Sequence, residues 1–280
     1  MPEQKMTSRF VNDGAEKYMN VTIPIHNGGY IKLVDYMGTD ETVVAAARHS
    51  YGKGVDFNDH DGNERLINFL MRERHTSPFE QPALVFEVKA PIFVFRQWHR
   101  HRTGKLNEAS ARYMELPEET YEPDYARIKA QSSNNKQGSG GELPDKLKDM
   151  FLELHRKQNA EAFEMYHLHI ENGVAKELAR IDLPLSTYSV MVWQMDTHNL
   201  LHFLKLRMDS HAQQEVRDYA NAIAGVFKES FPKIWAAFEE YVLYAKTFSR
   251  SELALLRNML EGVETTPETQ KVLSKLRAAA

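Results

Sequence analysis

Ala90–Tyr113 reads APIFVFRQWHRHRTGKLNEASARY, and the rest of the chain is the frame that holds it. Between Arg96 and Arg112 it carries five Lys or Arg (Arg96, Arg100, Arg102, Lys105, Arg112) against one acid, Glu108, with His99 and His101 interleaved. That is a net +4 within a chain whose formal charge is −4. A local reversal of field of this kind is what an anion-binding site requires. The competing reading is a solvated charged face, but Trp98 and the run Ile92–Phe95 pull the segment inward. Pro91 suits the first turn of a helix, so Ile92–Arg102 can be helical, while its Phe and Val content also permits a strand. If helical, Gln97, Arg100 and His101 share one face at i, i+3, i+4.

Outward from this stretch, strands and helices mix without strict alternation. Tyr30–Tyr36 alternates apolar and polar residues and reads as a strand. Ala83–Lys89 places Leu84, Phe86 and Val88 on one face, as in a half-buried antiparallel sheet. Thr187–Met195 is another strand. Asp40 is expected to cap a helix over Glu41–His49, and Asp61-x-x-Glu64 has the spacing of a capping box before Leu66, Phe69 and Leu70. Thr76-Ser77-Pro78 forces an extended turn. Asp145–Asn172 reads as a long helix with Leu147, Phe151, Leu154, Phe163, Tyr166 and Ile170 on its apolar side and Gly173 as its stop. Further helices are predicted over 174–180, 197–208, 211–230 and 233–246, then from Ser249-x-x-Glu252 to Gly262, and from Thr266-Pro267 on.

The fold class expected is α+β: an antiparallel or mixed sheet flanked by long helices, with a helical subdomain. Residues 1–29 read as a partly disordered N-terminal extension, 30–246 as one α+β domain, and 247–280 as a C-terminal helical tail. Within the domain, 131–141 (QSSNNKQGSGG) reads as a flexible insertion loop, not as a phosphate loop.

Composition excludes several chemistries. The chain has no Cys, so thiolate ligation, disulfides and a cysteine nucleophile are ruled out. With 42% hydrophobic and 26% charged residues among its 280, and mean hydropathy −0.53, it reads as a soluble globular protein. No apolar run approaches the roughly 18 residues of a transmembrane helix. The first 20 residues lack a secretory pattern, and a cytoplasmic location is the default. A pI near 6.3 argues against a general nucleic-acid coat protein. His99 and His101 have no third ligand at motif spacing, so no metal site is expected.

Outside the opening stretch, Arg207 is the most telling position. Leu200, Phe203 and Leu204 form the apolar stripe of its helix, and Arg207 lies one heptad beyond Leu200, directed toward the core. A guanidinium there needs a carboxylate or a ligand anion. A structural ion pair with Asp209 or Glu215 is the plainer reading. Asn107, Glu108, Ser110 and Arg112 offer donors and acceptors suited to a sugar and a phosphate together.

Arg100-His101-Arg102, seven residues, then Ser110 resembles the signature of the flavin-dependent thymidylate synthases. Five blocks agree with that family in order: His75–Glu80; Lys89–Arg102; Asn107-Glu108-x-Ser110-x-Arg112-Tyr113; Ala179-Arg180-x-x-Leu183-Pro184; and Leu206–Gln213. The resemblance implies methylation of dUMP to dTMP, with 5,10-methylenetetrahydrofolate as carbon donor, FAD as cofactor and NADPH as its reductant. It implies no cysteine nucleophile, as a chain without cysteine requires. It assigns activation of the uracil ring to Arg207, as a catalytic residue. FAD binding falls to Ser77, Arg100, His101, Arg102 and Glu108, and to Asp196 and His202, where some members carry Asn. An aspartate there repels phosphate or captures a ribose hydroxyl. Binding of dUMP falls to Gln97, Arg100, Glu108, Ala109, Ser110, Ala111, Arg112, Arg180 and Arg207. A homotetramer with sites built from several subunits is implied, with no membrane and no nucleic-acid polymer as partner. A non-catalytic nucleotide- or RNA-binding module, and a paralogue that has lost turnover, stand as alternatives.

Overall fold

The computed structural model describes residues 11–133, 136, 138–260, 266, 270 and 272–274. The chain divides into two compact units, one ending at Phe238 and the other beginning at Glu239. In the first, strands β1 (Thr22–Ile25), β2 (Gly29–Met37), β3 (Ala83–Pro91), β4 (Lys105–Glu108) and β7 (Tyr188–Asp196) form an antiparallel sheet in the order β1-β2-β3-β7-β4. A separate hairpin pairs β5 (Lys129–Gln131) with β6 (Ser139–Glu142). The helices of this unit are α1 (Asp13–Glu16), α2 (Asp40–His49), α3 (His60–Arg72), α4 (Ile92–Trp98), α5 (Asp145–Glu171), α6 (Lys176–Ala179), α7 (Thr197–Arg207), α8 (Gln214–Ser230) and α9 (Pro232–Phe238). In the second unit, a single π turn at Glu239–Leu243 precedes α10 (Arg250–Met259), which Ser249 and Glu252 start with a reciprocal capping box. The expected stop at Gly262 and the start at Pro267 lie outside the described residues.

The sheet is built on alternation. Leu84, Phe86 and Val88 of β3 stand opposite Met195, Trp193 and Met191 of β7, and all six side chains are sealed from water. Three helices pack against these strands, α4 on β3, α7 on β7 and α8 on β2. The stripe Val216, Tyr219, Ala220, Ile223 and Phe227 of α8 is buried at the helical period. Between the layers lies an aromatic cluster. Trp98 meets Trp193 edge-on at 5.1 Å, Phe203 at 4.9 Å and Tyr219 at 5.9 Å. Trp98 is wholly buried, which contributes on the order of 3 kcal/mol and fixes the end of α4 against α7 and α8.

Of the two forms open to Ile92–Arg102, the structure takes the helix. Ile92–Trp98 is a helix, whose first two free N–H groups, of Ile92 and Phe93, donate to the carbonyls of Thr187 and Leu185 (3.0 and 3.1 Å). It stops at Trp98, four residues short of the predicted end, so Arg100 and His101 ride on a turn and do not share a helical face with Gln97. Gly104 closes that turn over Trp193, where a Cβ would collide with the indole nitrogen. The chain then returns to the sheet as β4.

Other expectations shift for local reasons. The N-terminal stretch is drawn into the fold: Asn12 is buried, its amide donating to Gly38 O (3.1 Å) and Ser230 O (2.8 Å), and β1 is a sheet strand. Thr39, not Asp40, caps α2; Asp40 instead accepts the backbone N–H groups of Lys233 and Ile234 at 3.0 Å each. Asp59 caps α3, two residues before the predicted cap. Ser77–Glu80 is a 3₁₀ turn, not an extended one. The 131–141 segment is bracketed by the β5–β6 hairpin, Gln131 facing Ser139. The long helix ends as predicted, at Asn172 with Gly173 at φ +80°. Its apolar side differs: Phe163 and Tyr166 are buried, but Leu147, Phe151 and Leu154 stand about half exposed along an apolar groove of about 1020 Å³.

Candidate active site

Trp98 sets the geometry of the site because its neighbours in sequence, Gln97 and His99, leave the core on different sides. On the first side, α7 ends at Arg207, whose Nε–H donates to His101 Nε2 at 3.0 Å and whose Nη2 donates to the Gln97 carbonyl at 3.1 Å. No carboxylate among the described residues stands within ion-pair distance of this guanidinium. The plainer expectation of an ion pair does not hold: Glu215 is taken by Arg127 (2.7 and 3.2 Å) and Tyr121 (3.0 Å), and Asp209 faces His211 at 2.8 Å. Burial alone pushes the Arg207 pKa below its ordinary value.

His101 has to be neutral to accept from Arg207. Burial, then the charge of Arg207 and then that of His202, pushes its pKa down to about 4. An unfolded histidine binds its proton near about 6.5. Between these values the unfolded chain holds more protons, so this group's contribution to stability is complete above about 6.5 and is lost as pH falls toward 4. In the ligand-free protein, the His101 ring resonance is expected to stay in its neutral position from pH 7 to pH 5, as read by NMR. A midpoint near 6.5 would show that the Arg207 contact is not made.

Gln97 is itself held. Its Nε2 lies 2.5 Å from Gln213 Oε1, and Gln213 in turn hydrogen-bonds the buried Glu215 carboxylate. An ionised carboxylate only accepts, so Gln213 turns its N–H to Glu215 and its oxygen to Gln97. Gln213 is a positioning residue that the five-block comparison contained and the residue reading passed over. Its partner is 116 residues distant, and only tertiary structure reveals such a contact.

On the other side, a cavity of about 440 Å³ is lined by Arg96, His99, Glu108, Ser110, Arg112 and Arg180 over an apolar floor that includes Phe95. Glu108 Oε1 accepts from Ser189 Oγ at 2.7 Å, which fixes the carboxylate at the end of β4. Ser110 begins the turn after β4, and Arg180 follows α6, so three elements converge on the cavity. Ala109 lines it with its neighbours, while Ala111 is buried beneath.

The remaining residues named from sequence lie around α7. Arg100 and Arg102 are exposed on the turn, and no described carboxylate pairs with either. His202 is exposed, its ring 6.2 Å from that of His101. Asp196 caps α7, its two oxygens accepting from Asn199 N (2.9 Å) and Asn199 Nδ2 (2.8 Å). Ser77 is exposed on the 3₁₀ turn that packs against α7 near that cap, where Thr197 N donates to Pro82 O at 2.9 Å. The length of α7, about 15 Å, separates Ser77 and Asp196 from Arg207. At the Arg207 end of that span the exposed Arg100 and Arg102, with no carboxylate partner among the described residues, are chemically suited to the phosphates of a cofactor.

Fold and site together define an α+β protein with an arginine-lined cavity on one side of Trp98 and a half-buried guanidinium, that of Arg207, on the other. Comparison gives the family. The family model described as "Thymidylate synthase complementing protein" matches residues 32–233. A flavin-dependent thymidylate synthase of Thermus thermophilus is 50% identical over 257 residues, covering 91% of each chain. One from Treponema denticola is 46% identical over 248 residues, 88% of this chain and 92% of that one. The solved structure of the UMP/dUMP methylase PolB from Streptomyces cacaoi, bound with 5-Br dUMP, superposes with a TM-score of 0.71 at 34% identity, over 80% of this chain and all of that one. The chain belongs to the flavin-dependent thymidylate synthase family.

Proposed function

We propose that this protein methylates dUMP to dTMP with bound FAD, taking its carbon from 5,10-methylenetetrahydrofolate and its reducing power from NADPH. The observation that carries the reading is the Arg207 clasp. A half-buried cation, held by a neutral imidazole and a carbonyl, keeps its charge for a ligand. Placed against the uracil edge, it stabilises the negative charge that builds on the ring as C5 becomes nucleophilic. Gln97 and Gln213 hold that guanidinium in place. Arg112, Arg180 and Ser110 bind the phosphate, and Glu108 accepts from the sugar. Arg100, Arg102, His101, Ser77 and His202 hold FAD, which when reduced supplies the hydride. Asp196 serves as the cap of α7 beside it. Simple phosphate binding has no use for the Arg207 clasp, which counts against a binding module without chemistry.

The active assembly is proposed to be a homotetramer, supported by the open apolar groove along α5, a surface suited to a second copy. A cytoplasmic location is proposed with it; no described helix is long and apolar enough to cross a membrane. The experiment that tests the cofactor is the visible spectrum of the purified protein before and after addition of FAD. Flavin bands that stay with the protein through gel filtration are expected, and Arg102→Ala is expected to lose them. Protein that stays colourless in FAD contradicts the proposal.

A further inference from the structure

His99 lines the cavity without a role in holding FAD or dUMP among those proposed above, yet its environment is that of a ligand-binding group. It stacks on Phe95, with ring centroids 5.9 Å apart and planes 14° from parallel. Its Nε2 is shut off from water and makes no hydrogen bond. A buried polar atom left so costs about 1–3 kcal/mol. The group facing it is Glu108 Oε2 at 3.7 Å, just beyond hydrogen-bond distance, on a carboxylate whose other oxygen Ser189 already holds. The other ring nitrogen is not closed off: the side chain is 32% exposed and lines the cavity with Arg112 and Arg180.

We infer that His99 is a further substrate-binding residue, which bridges Glu108 and the phosphate of the bound nucleotide. Between an anion on either side, the ring donates from both nitrogens, Nε2–H to Glu108 and Nδ1–H to a phosphate oxygen. This gives the orphaned nitrogen its partner and screens the phosphate from the Glu108 charge. The inference rests on the cavity being the nucleotide site proposed above.

Equilibrium binding separates the possibilities. The dissociation constants of dUMP and deoxyuridine are measured on flavin-loaded wild type and His99→Phe, with FAD affinity measured on both. Phe keeps the stacking on Phe95 and removes both nitrogens. The preference for dUMP over deoxyuridine is expected to fall roughly tenfold, the worth of a charge-assisted hydrogen bond. Deoxyuridine and FAD affinities are expected to stay as they were. An unchanged preference, an equal weakening of dUMP and deoxyuridine, or a fall in FAD affinity with the preference intact overturns the inference and leaves the site reading standing. Wild type that shows no preference for dUMP overturns the site reading itself, and the inference with it. Should His99→Phe not fold, His99→Gln is read in the same way, because it keeps a polar end for Glu108 and lacks the Nδ1 donor.

Discussion

Arg207→Ala is expected to retain its flavin and to lose dTMP formation by about 100- to 1000-fold, the cost of removing one preorganised electrostatic donor. The side chain ends α7 with its Nε and Nη2 committed to His101 and Gln97, and the rest of its fork is left for a ligand. The substitution removes a half-buried cation that has no anionic partner among the described residues, so folding is expected to survive it. Loss of activity with loss of flavin would instead make Arg207 a cofactor ligand. Wild-type turnover in the variant would refute its activating role. Arg207→Lys is expected to restore little, since an ammonium cannot reach two acceptors in fixed planar geometry.

Glu215→Ala is expected to lower stability by about 3–5 kcal/mol, the range for removing one partner of a buried ion pair. Glu215 is 3% exposed and gathers Arg127, Tyr121 and Gln213. Burial is the largest single influence and works to raise its pKa, but the hydrogen bonds and charge of Arg127, a backbone N–H and Gln213 together outweigh it and hold the pKa below the ordinary value. Its contribution is therefore present above the ordinary carboxylate pKa and is lost as pH falls below it. Urea unfolding at neutral pH checks the magnitude; a loss under about 1 kcal/mol, the worth of an exposed pair, would mean that the carboxylate is not ionised and paired. Because Gln213 is oriented by Glu215, the variant is also expected to weaken dUMP binding in whatever fraction remains folded.

The parts of this fold legible in the sequence are those where one local signal decides. Alternation placed β3, and Gly173 marked the end of α5. The heptad step from Leu200 correctly turned Arg207 inward, although its partner proved to be His101 and a carbonyl instead of an acid. What escaped was settled between distant segments. β1 is a four-residue edge strand containing Pro24, too short and irregular to alternate, and it exists because β2 is there to pair with it. The exposed half of the α5 stripe is equally opaque, because periodicity shows which residues seek cover and not where the cover comes from. Within the site, the charge of the basic run alone marked the surface that is proposed to bind anions. That Gln97 leans on Gln213, and that His99 faces Glu108 without touching it, depends on how Trp98 seats between α7 and α8.

The central claim is that this chain makes dTMP by flavin chemistry without a cysteine nucleophile. The most direct test is dTMP formation from dUMP, methylenetetrahydrofolate and NADPH, with FAD supplied or withheld from flavin-stripped protein. Turnover that appears only with FAD is the result predicted; flavin-loaded protein that forms no dTMP would contradict the claim.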